Sequence, residues 1–205
     1  MDTQNISRRE RKKQETKSNI LRTARHLFRD NGIDNTSIED ITEKVDISRG
    51  TFFNYFSNKD GLIIGIVEDE VDELIDYLED ELMGIASAVT KLKLFYKKII
   101  EDAIQYLHIT EHVIISTILK SDENSFCIFK EYYAITEKLV IEAQKNKEIT
   151  DKVAVDQIVS LILGCYYSVL HECFYTKEVS NAVMKLDNMI DLLFNGIEGE
   201  KYIMA

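Results

Sequence analysis

The 205-residue sequence contains no proline and only eight glycines. Folds built from strands need these residues at their turns, so their scarcity favours long uninterrupted helices. The chain also has only three cysteines, an odd number without the CxxC spacing of a redox or zinc site. This set predicts no disulfide framework and is typical of a reducing cytoplasm.

Long apolar runs are missing as well. Residues 1–19 are polar and lack the apolar centre of a secretory leader. The longest stretch without a charged residue, 157–171, has 15 residues, whereas a membrane-spanning helix needs about 20. We therefore expect a cytoplasmic protein without a membrane partner.

The net charge of −11 is distributed unevenly along the chain. Residues 1–60 contain 12 basic and 10 acidic residues, whereas residues 61–205 contain 13 basic and 26 acidic residues. The basic excess is greatest between Ser7 and Arg29, with nine bases and two acids. An acidic body with a basic head indicates that only the head meets a polyanion.

The basic residues before the first helix leave two interpretations open. They follow a DNA backbone or enter a minor groove as a flexible arm, or they form a solvated, disordered tail that adds only diffuse attraction. The residues concerned are Arg8, Arg9, Arg11, Lys12 and Lys13.

Apolar residues recur at helical spacing along most of the chain, which predicts an all-α fold. The first helix buries a face that includes Ile20 and Ala24, and it ends at Asn31-Gly32, residues that tolerate the left-handed backbone of a helix end. Further helices are predicted in the body near residues 57–82, 88–107, 110–120, 122–146, 152–175 and 178–197.

Two short helices joined by a tight turn lie between these regions. Thr36 and Glu39 have the spacing of a capping box, which predicts the start of the first short helix. Ser48 is predicted to cap the second, from Arg49 to about Tyr55. Such a pair, packed on a basic helix, is typical of a helix-turn-helix DNA reader whose second helix enters the major groove. We expect a DNA-binding head in residues 1–57 and a helical body in residues 58–205.

The second short helix lies within a specific run of residues, Ile47-Ser-Arg-Gly-Thr-Phe-Phe-Asn-Tyr-Phe56, which is followed by Lys59 and Leu62. Leu27-Phe28, Gly32, Thr36 and Ile38-Glu-Asp-Ile41 precede it. On these residues the stretch 16–63 resembles the TetR family of transcriptional regulators.

The resemblance implies an N-terminal helix-turn-helix domain and a C-terminal helical domain that binds an effector and dimerises. It implies a homodimer joined through the helices near 152–175 and 178–197. It also implies a palindromic double-stranded DNA operator, from which the protein represses transcription until a small-molecule effector binds. We expect neither a cofactor nor an enzymatic activity.

The resemblance also assigns site residues, with two departures from the family pattern. Phe53 stands where Tyr is common, so we expect either one phosphate contact fewer or simple packing there. Asp46 stands where a turn glycine is usual. From their positions, Arg49 is expected to contact a guanine edge or a phosphate, and Asn54 to contact adenine. The family's phosphate contacts fall on Thr36, Ser48, Thr51, Tyr55 and Lys59.

Aromatic residues of the body serve either as core or as the lining of an effector pocket. Nearby acids favour a lipophilic cation bound against aromatic faces, and the apolar side chains suit a fatty or acyl-type effector equally. The predicted lining residues are Tyr96, Tyr106, Phe129, Tyr133 and Tyr166.

Two other functional classes match parts of the sequence. His108-Ile-Thr-Glu111-His112 matches the H-x-x-E-H zinc motif, but that chemistry needs a third ligand and a continuous helix, and Thr110 indicates a break between helices. No metal site is therefore expected. The remaining alternative is a dimeric helical interaction or sensor module that does not bind DNA.

Overall fold

The computed structural model describes residues 7–80, 82–120 and 126–196, except for the side chains at 78, 79, 116–120 and 126–128. The described residues form nine helices and no strand, which confirms the all-α prediction. The helices are α1 (Arg8–Asn31), α2 (Ile38–Val45), α3 (Arg49–Phe53), α4 (Lys59–Asp80), α5 (Ala88–Gln105), α6 (Leu107–Lys120), α7 (Phe126–Lys145), α8 (Val155–Thr176) and α9 (Ala182–Asn195).

The helix ends follow local sequence rules with one exception. Gly32 ends α1 at a φ of 83°, and Ser48 caps α3 by accepting from the Thr51 N–H, both as predicted. The capping box predicted for α2 at Thr36 and Glu39 is wrong by one residue, because Ser37 and Asp40 form it. The Thr36 hydroxyl turns inward instead and donates to the Gly32 carbonyl at 2.9 Å.

The helices group into two compact units. The first contains α1, α2, α3, α6 and α4 as far as Glu70, and the second contains α4 from Val71 onwards with α5, α7, α8 and α9. Helix α6 packs against α1, so a segment distant in sequence joins the first unit. The domain boundary expected at residue 57 does not include α6 or the first part of α4 in the DNA-binding head, and it stays a prediction.

The core of the second unit is built around α5, which packs against α7, α8 and α9. Phe95 and Tyr96 are fully buried on this helix. The Tyr96 hydroxyl lies 2.8 Å from that of Thr136, which donates to the Tyr132 carbonyl at 2.6 Å. These two hydrogen bonds give both buried hydroxyls a partner, as a dry interior requires. Burial raises the pKa of Tyr96 well above its usual range, so the phenol stays neutral.

A carboxylate from a distant loop caps the start of α5. Glu148 accepts hydrogen bonds from the Ser87 hydroxyl at 2.6 Å and from the N–H groups of Ala88 at 2.9 Å and Val89 at 3.2 Å. These N–H groups have no partner within the helix. The hydrogen bond from Ser87, followed by those from the backbone, lowers the pKa of Glu148 from 4.5 to about 2.

This cap predicts a defined pH dependence of stability. Since the pKa of Glu148 is lower in the folded state, its contribution is complete above pH 4.5 and is lost as the pH falls towards 2. Solvent screening of this exposed group limits the contribution to about 1 kcal/mol. Replacing Glu148 by Gln should lower the free energy of unfolding at neutral pH by that amount and flatten its fall with acid. Equilibrium unfolding from pH 7 to 2.5 measures this, with Glu178→Gln as the control, and an unchanged acid branch would contradict it.

Helix α8 is long and apolar enough to cross a membrane by length and composition alone. The core helix of a soluble protein meets the same criteria, and α8 buries seven residues against its neighbours, including Val159, Ile162 and Leu170. Packing within the second unit therefore accounts for the buried part of this helix, which is 39% of its most apolar window.

Candidate nucleic-acid interface

A three-residue turn joins α2 to α3. Asp46 ends α2 in the left-handed conformation, at φ 60° and ψ 52°. The next N–H, of Ile47, donates to the Thr42 carbonyl at 3.0 Å. Asp adopts this conformation more readily than most residues, though less readily than glycine. The departure from the usual turn glycine thus leaves the motif intact.

The Asp46 position separates backbone strain from charge. Asp46→Gly should raise the free energy of unfolding by about 0.5–1 kcal/mol because glycine adopts positive φ without steric cost. It should also tighten DNA binding, since it removes an acid from the reading head. Asp46→Asn removes the charge alone and should improve only DNA binding. Chemical denaturation and duplex titration measure the two effects, and equal stabilisation by both variants would contradict the strain argument.

Helix α3 has only five residues, too few to form by itself in water. Phe52 anchors it, since this side chain is fully buried in the core of the first unit and lies 5.8 Å from the Phe56 ring, measured between centroids. The opposite side presents Arg49, Phe53 and Asn54 to solvent. The helix is therefore anchored on one side by Phe52 and faces solvent with the other.

The N-terminus of α3 carries a pair of hydroxyls. The Ser48 Oγ accepts from the Thr51 N–H at 3.0 Å and lies 2.9 Å from the Thr51 Oγ1. Ser48 is exposed, and Thr51 and Tyr55 are half-buried. Hydroxyls and free N–H groups at a helix start suit phosphate oxygens. Their phosphate contacts stay a prediction.

Arg49 is held in place by two neighbours. Its guanidinium pairs with the Glu39 carboxylate of α2 and lies 5.7 Å from the centroid of the Phe53 ring. Both partners are exposed, so the pair is weak and its geometry orients the guanidinium more than it stabilises the fold. Phe53, 44% exposed, thus supports Arg49 where a family tyrosine would supply a hydroxyl.

Thr36 and Lys59 are less exposed than the residues on the outward side of α3. Thr36 is only 1% exposed, so its predicted phosphate contact is corrected: the hydroxyl holds the loop between α1 and α2. The Lys59 ammonium donates to the carbonyls of Ile33 at 2.6 Å and Thr36 at 2.9 Å. Two of its three N–H bonds are thereby used, and one remains for a phosphate.

Replacing Lys59 by Ala should have two measurable effects. The unfolding free energy should fall by about 1–3 kcal/mol, because two loop carbonyls lose a charged donor. The slope of log affinity against log salt should fall by about 0.9 for each subunit, as for any lost phosphate contact. Denaturation and duplex titration from 50 to 200 mM salt measure these. An unchanged salt slope would contradict the phosphate contact and show that Lys59 only stabilises the loop between α1 and α2.

Arg25 is a functional candidate that the sequence reasoning missed. It leaves α1 with a side chain only 12% exposed and donates to the Ile66 carbonyl at 3.3 Å and to Asp69 at 3.4 Å, both on α4. The ring of Tyr106 lies 5.5 Å from its guanidinium. The sequence signal that could have indicated Arg25 is its position directly after Ala24, a residue of the buried apolar face of α1.

The predicted effector residues do not all belong together. Tyr96, Phe129, Tyr133 and Tyr166 lie in the second unit, whereas Tyr106 lies in the first. Tyr96 and Tyr166 are in edge contact at 6.0 Å, and Tyr133 is half-buried.

Other rings of the second unit extend this aromatic group. Phe129 contacts Tyr167 at 5.3 Å, and Tyr167 contacts Tyr166 at 5.2 Å. A cavity of about 610 Å³ opens between α5 and α9, with Leu94 and Ile190 in its walls. Of the predicted lining residues, Tyr96 borders it. The pocket assignment stays a prediction.

The histidine motif lies on one continuous helix. The predicted break at Thr110 is wrong, because α6 runs unbroken from Leu107 and the interruption lies at Tyr106. His112 lies 4.0 Å from Asp60 of α4. Within the described part of the chain, no group of three or more His, Cys, Asp or Glu residues is placed to hold a metal ion.

Comparison with known proteins agrees with this geometry. Residues 20–66 match the family described as bacterial regulatory proteins, tetR family. The HTH-type transcriptional regulator YvdT of Bacillus subtilis is 29% identical over 137 residues, which are 64% of this chain and 69% of that protein. The fatty acid metabolism regulator protein of the same organism is 20% identical over 88% of this chain and 95% of its own length.

A solved structure shows the same fold. The transcriptional regulator FadR of Bacillus subtilis, in complex with stearoyl-CoA, superposes with a TM-score of 0.73 at 20% identity, over 88% of this chain and 99% of that one. The family match falls on the helix-turn-helix, and the structural likeness extends through the helical body. The DNA-binding segment therefore matches the TetR family of bacterial regulatory proteins, and the chain is a DNA-binding transcriptional regulator.

Proposed function

We propose that the protein is a cytoplasmic repressor that binds a palindromic operator as a homodimer and leaves it when a small-molecule effector binds. The observation that carries this proposal is the exposed side of α3, where Ser48, Arg49 and Asn54 face outwards from a buried Phe52. Two such helices about 34–36 Å apart would enter successive major grooves.

Helices α8 and α9 are proposed to join the two subunits. Both retain exposed apolar side chains, with Leu161 53%, Met184 60% and Leu192 52% exposed. Gly164, on the same exposed side of α8 as Leu161, has no heavy atom within 4 Å of the position of a Cβ. Apolar side chains beside a small residue allow a second helix to approach closely and bury them.

The proposed effector is a fatty or acyl-type molecule bound in the second unit. Its aromatic and aliphatic interior suits an apolar chain, and the related FadR of Bacillus subtilis is described in complex with stearoyl-CoA. The acidic balance of residues 61–205 keeps a lipophilic cation as the second candidate.

Helix α4 is proposed to transmit the effector signal, because it continues from the first unit into the second. Arg25 ties α1 to α4, so a tilt of α4 would carry the reading head with it. An effector shifts the DNA-binding equilibrium only as far as it prefers one state over the other.

Binding of the protein to the DNA that flanks its own gene tests the DNA-binding part of this function. We expect a salt-sensitive complex that Thr51→Ala weakens by about tenfold, the loss of about 1.4 kcal/mol of phosphate contact. A protein that binds no duplex and still dimerises would instead be the helical interaction module.

Effector specificity is tested on the protein–DNA complex. Stearoyl-CoA, free coenzyme A and tetraphenylphosphonium are added separately, and DNA release and the shift in Tm of the free protein are recorded. Release by stearoyl-CoA and not by coenzyme A supports the acyl class, and release only by tetraphenylphosphonium supports the cation. A promoter–reporter fusion with and without the gene distinguishes repression from activation.

A further inference from the structure

The first three turns of α1 form a helix without an apolar face. From Ser7 to Asn19 the sequence contains no hydrophobic residue, yet the helix starts at Arg8, where the Ser7 hydroxyl accepts from the Glu10 N–H. Every residue from Ser7 to Asn19 except Thr16 is exposed. Helical residues that are polar on all sides have no core to bury, so this extension serves solvent or a partner.

The charge of the extension is strongly positive and mostly uncompensated. Residues Arg8–Lys17 include six bases and two acids. Arg11 lies 3.9 Å from Glu15, whereas Arg8, Arg9 and Lys12 form no ion pair among the described residues. At about 3.6 residues per turn, five of the six bases fall on one half of the helix, and only Arg11 lies on the other half with Glu10 and Gln14. One side of the extension therefore presents a row of cations to a partner. The matching partner is a polyanion.

The extension leaves the core close to the end of the reading helix. A Cβ atom on Gly65 of α4 would lie 2.7 Å from the Phe56 ring and 3.3 Å from the Leu21 side chain. Leu21 is the second core residue after the extension, and Phe56 follows α3 by three residues. The base of the extension and the C-terminal end of α3 therefore lie near each other in the first unit.

We propose that Arg8–Lys17 is a second DNA-contacting surface, a cationic helix that binds phosphates flanking the groove occupied by α3. This proposal rests on the proposed DNA-binding function. The 12 residues from Arg8 to Asn19 extend about 18 Å beyond the core at 1.5 Å per residue, the length of about five base pairs. The helix replaces both sequence-based interpretations, the flexible arm and the disordered tail.

Duplex length is the variable that tests this surface. The protein selects its operator from a randomised duplex pool, and the affinity is then measured for that operator alone and for the same operator extended by six base pairs on each side. We expect the extension of the duplex to raise the affinity about tenfold at 0.1 M salt and to steepen the salt dependence, since more phosphates are neutralised. Hydroxyl-radical footprints should lengthen on both sides.

Two charge-matched triple variants isolate the surface. Arg8→Gln, Arg9→Gln and Lys12→Gln together keep good helix formers and remove three cations from the extension. Lys97→Gln, Lys145→Gln and Lys152→Gln together remove three exposed cations from the second unit. The first variant should lose the advantage of the longer duplex and about 0.9 of salt slope for each lost phosphate contact, and the second should retain both.

The outcomes separate the two proposals. A parent protein that binds no duplex overturns the DNA-binding function and this surface with it. A parent that binds both duplexes equally, or a first variant that behaves like the second, overturns the surface alone. If the first variant retains the length effect but dissociates into monomers, the extension contacts an acidic protein face. If it retains the length effect but loses binding to phosphatidylserine vesicles, the extension contacts a membrane. Either result overturns the proposed DNA-contacting surface.

Discussion

Replacing Gly164 by Arg is expected to convert the protein into a folded monomer that binds its operator at least about 100-fold more weakly. The fold of one subunit tolerates the new side chain, because no heavy atom lies within 4 Å of a Cβ at this position. The substitution also favours helix α8, since glycine is about 1 kcal/mol less favourable than alanine in a helix and arginine ranks close to alanine. A partner helix packed closely on α8 would meet the arginine directly.

The loss of operator affinity follows from the loss of the second reading helix. In a dimer the second half-site binds as an intramolecular event, which multiplies the affinity by about 10²–10⁴. A monomer retains only the contacts of one half-site. Light scattering on a sizing column gives the oligomeric state, circular dichroism the fold, and duplex titration the affinity.

The matched control for this variant is Ile141→Arg. Ile141 is 50% exposed on α7 of the same unit, so the substitution adds the same side chain and charge away from α8 and α9. It should remain dimeric and bind DNA as the parent does. A Gly164→Arg protein that stays dimeric with parental affinity would move the dimer interface to another surface.

Replacing Gly65 by Ala is expected to lower the free energy of unfolding by about 1–3 kcal/mol, the range measured for overpacked cores. The added Cβ would lie 2.7 Å from the Phe56 ring, a distance that requires the ring to move. Phe56 is 5% exposed and contacts Phe52. Since Phe52 anchors α3, the displacement reaches the reading helix and should weaken DNA binding as well.

Gly61→Ala is the control on the same helix. Its Cβ would meet the Ser57 hydroxyl at 3.1 Å, an exposed side-chain tip that rotates away. The control should therefore be neutral or slightly stabilising, because alanine favours a helix. Thermal unfolding and duplex titration of both variants measure the effects. Equal behaviour of the two would show that the contact between Gly65 and Phe56 is not tight.

Local sequence rules were sufficient for most of the secondary structure. Gly32 and Ser48 end and start their helices as predicted because the signals act within four residues, through a left-handed backbone and a hydroxyl that accepts a backbone N–H. The run from Ile47 to Phe56 indicated the reading helix through its resemblance to the TetR family. The failure at Thr36 is also physical: two adjacent hydroxyls compete to cap α2, and burial of the first decides for Ser37.

Contacts distant in sequence were not accessible to such rules. Glu39 and Arg49 lie on different helices, and Lys59 reaches back 26 residues to the Ile33 carbonyl. The assignment of α6 and Tyr106 to the first unit likewise depends on which helix packs on α1. Periodicity identifies an apolar face without identifying its partner, so it does not show that Tyr106 packs against the core of the first unit while the other predicted lining residues lie in the second.

The helical content, the reading motif and the division into a basic head and an acidic body were already specified by composition and short-range pattern. The orientation of Arg49, the buried role of Thr36, the engagement of Lys59 and the helical state of the basic N-terminus were settled only by folding. Residue type and spacing act through the nearest turns of the backbone, whereas the environment of a side chain depends on segments that only packing brings together.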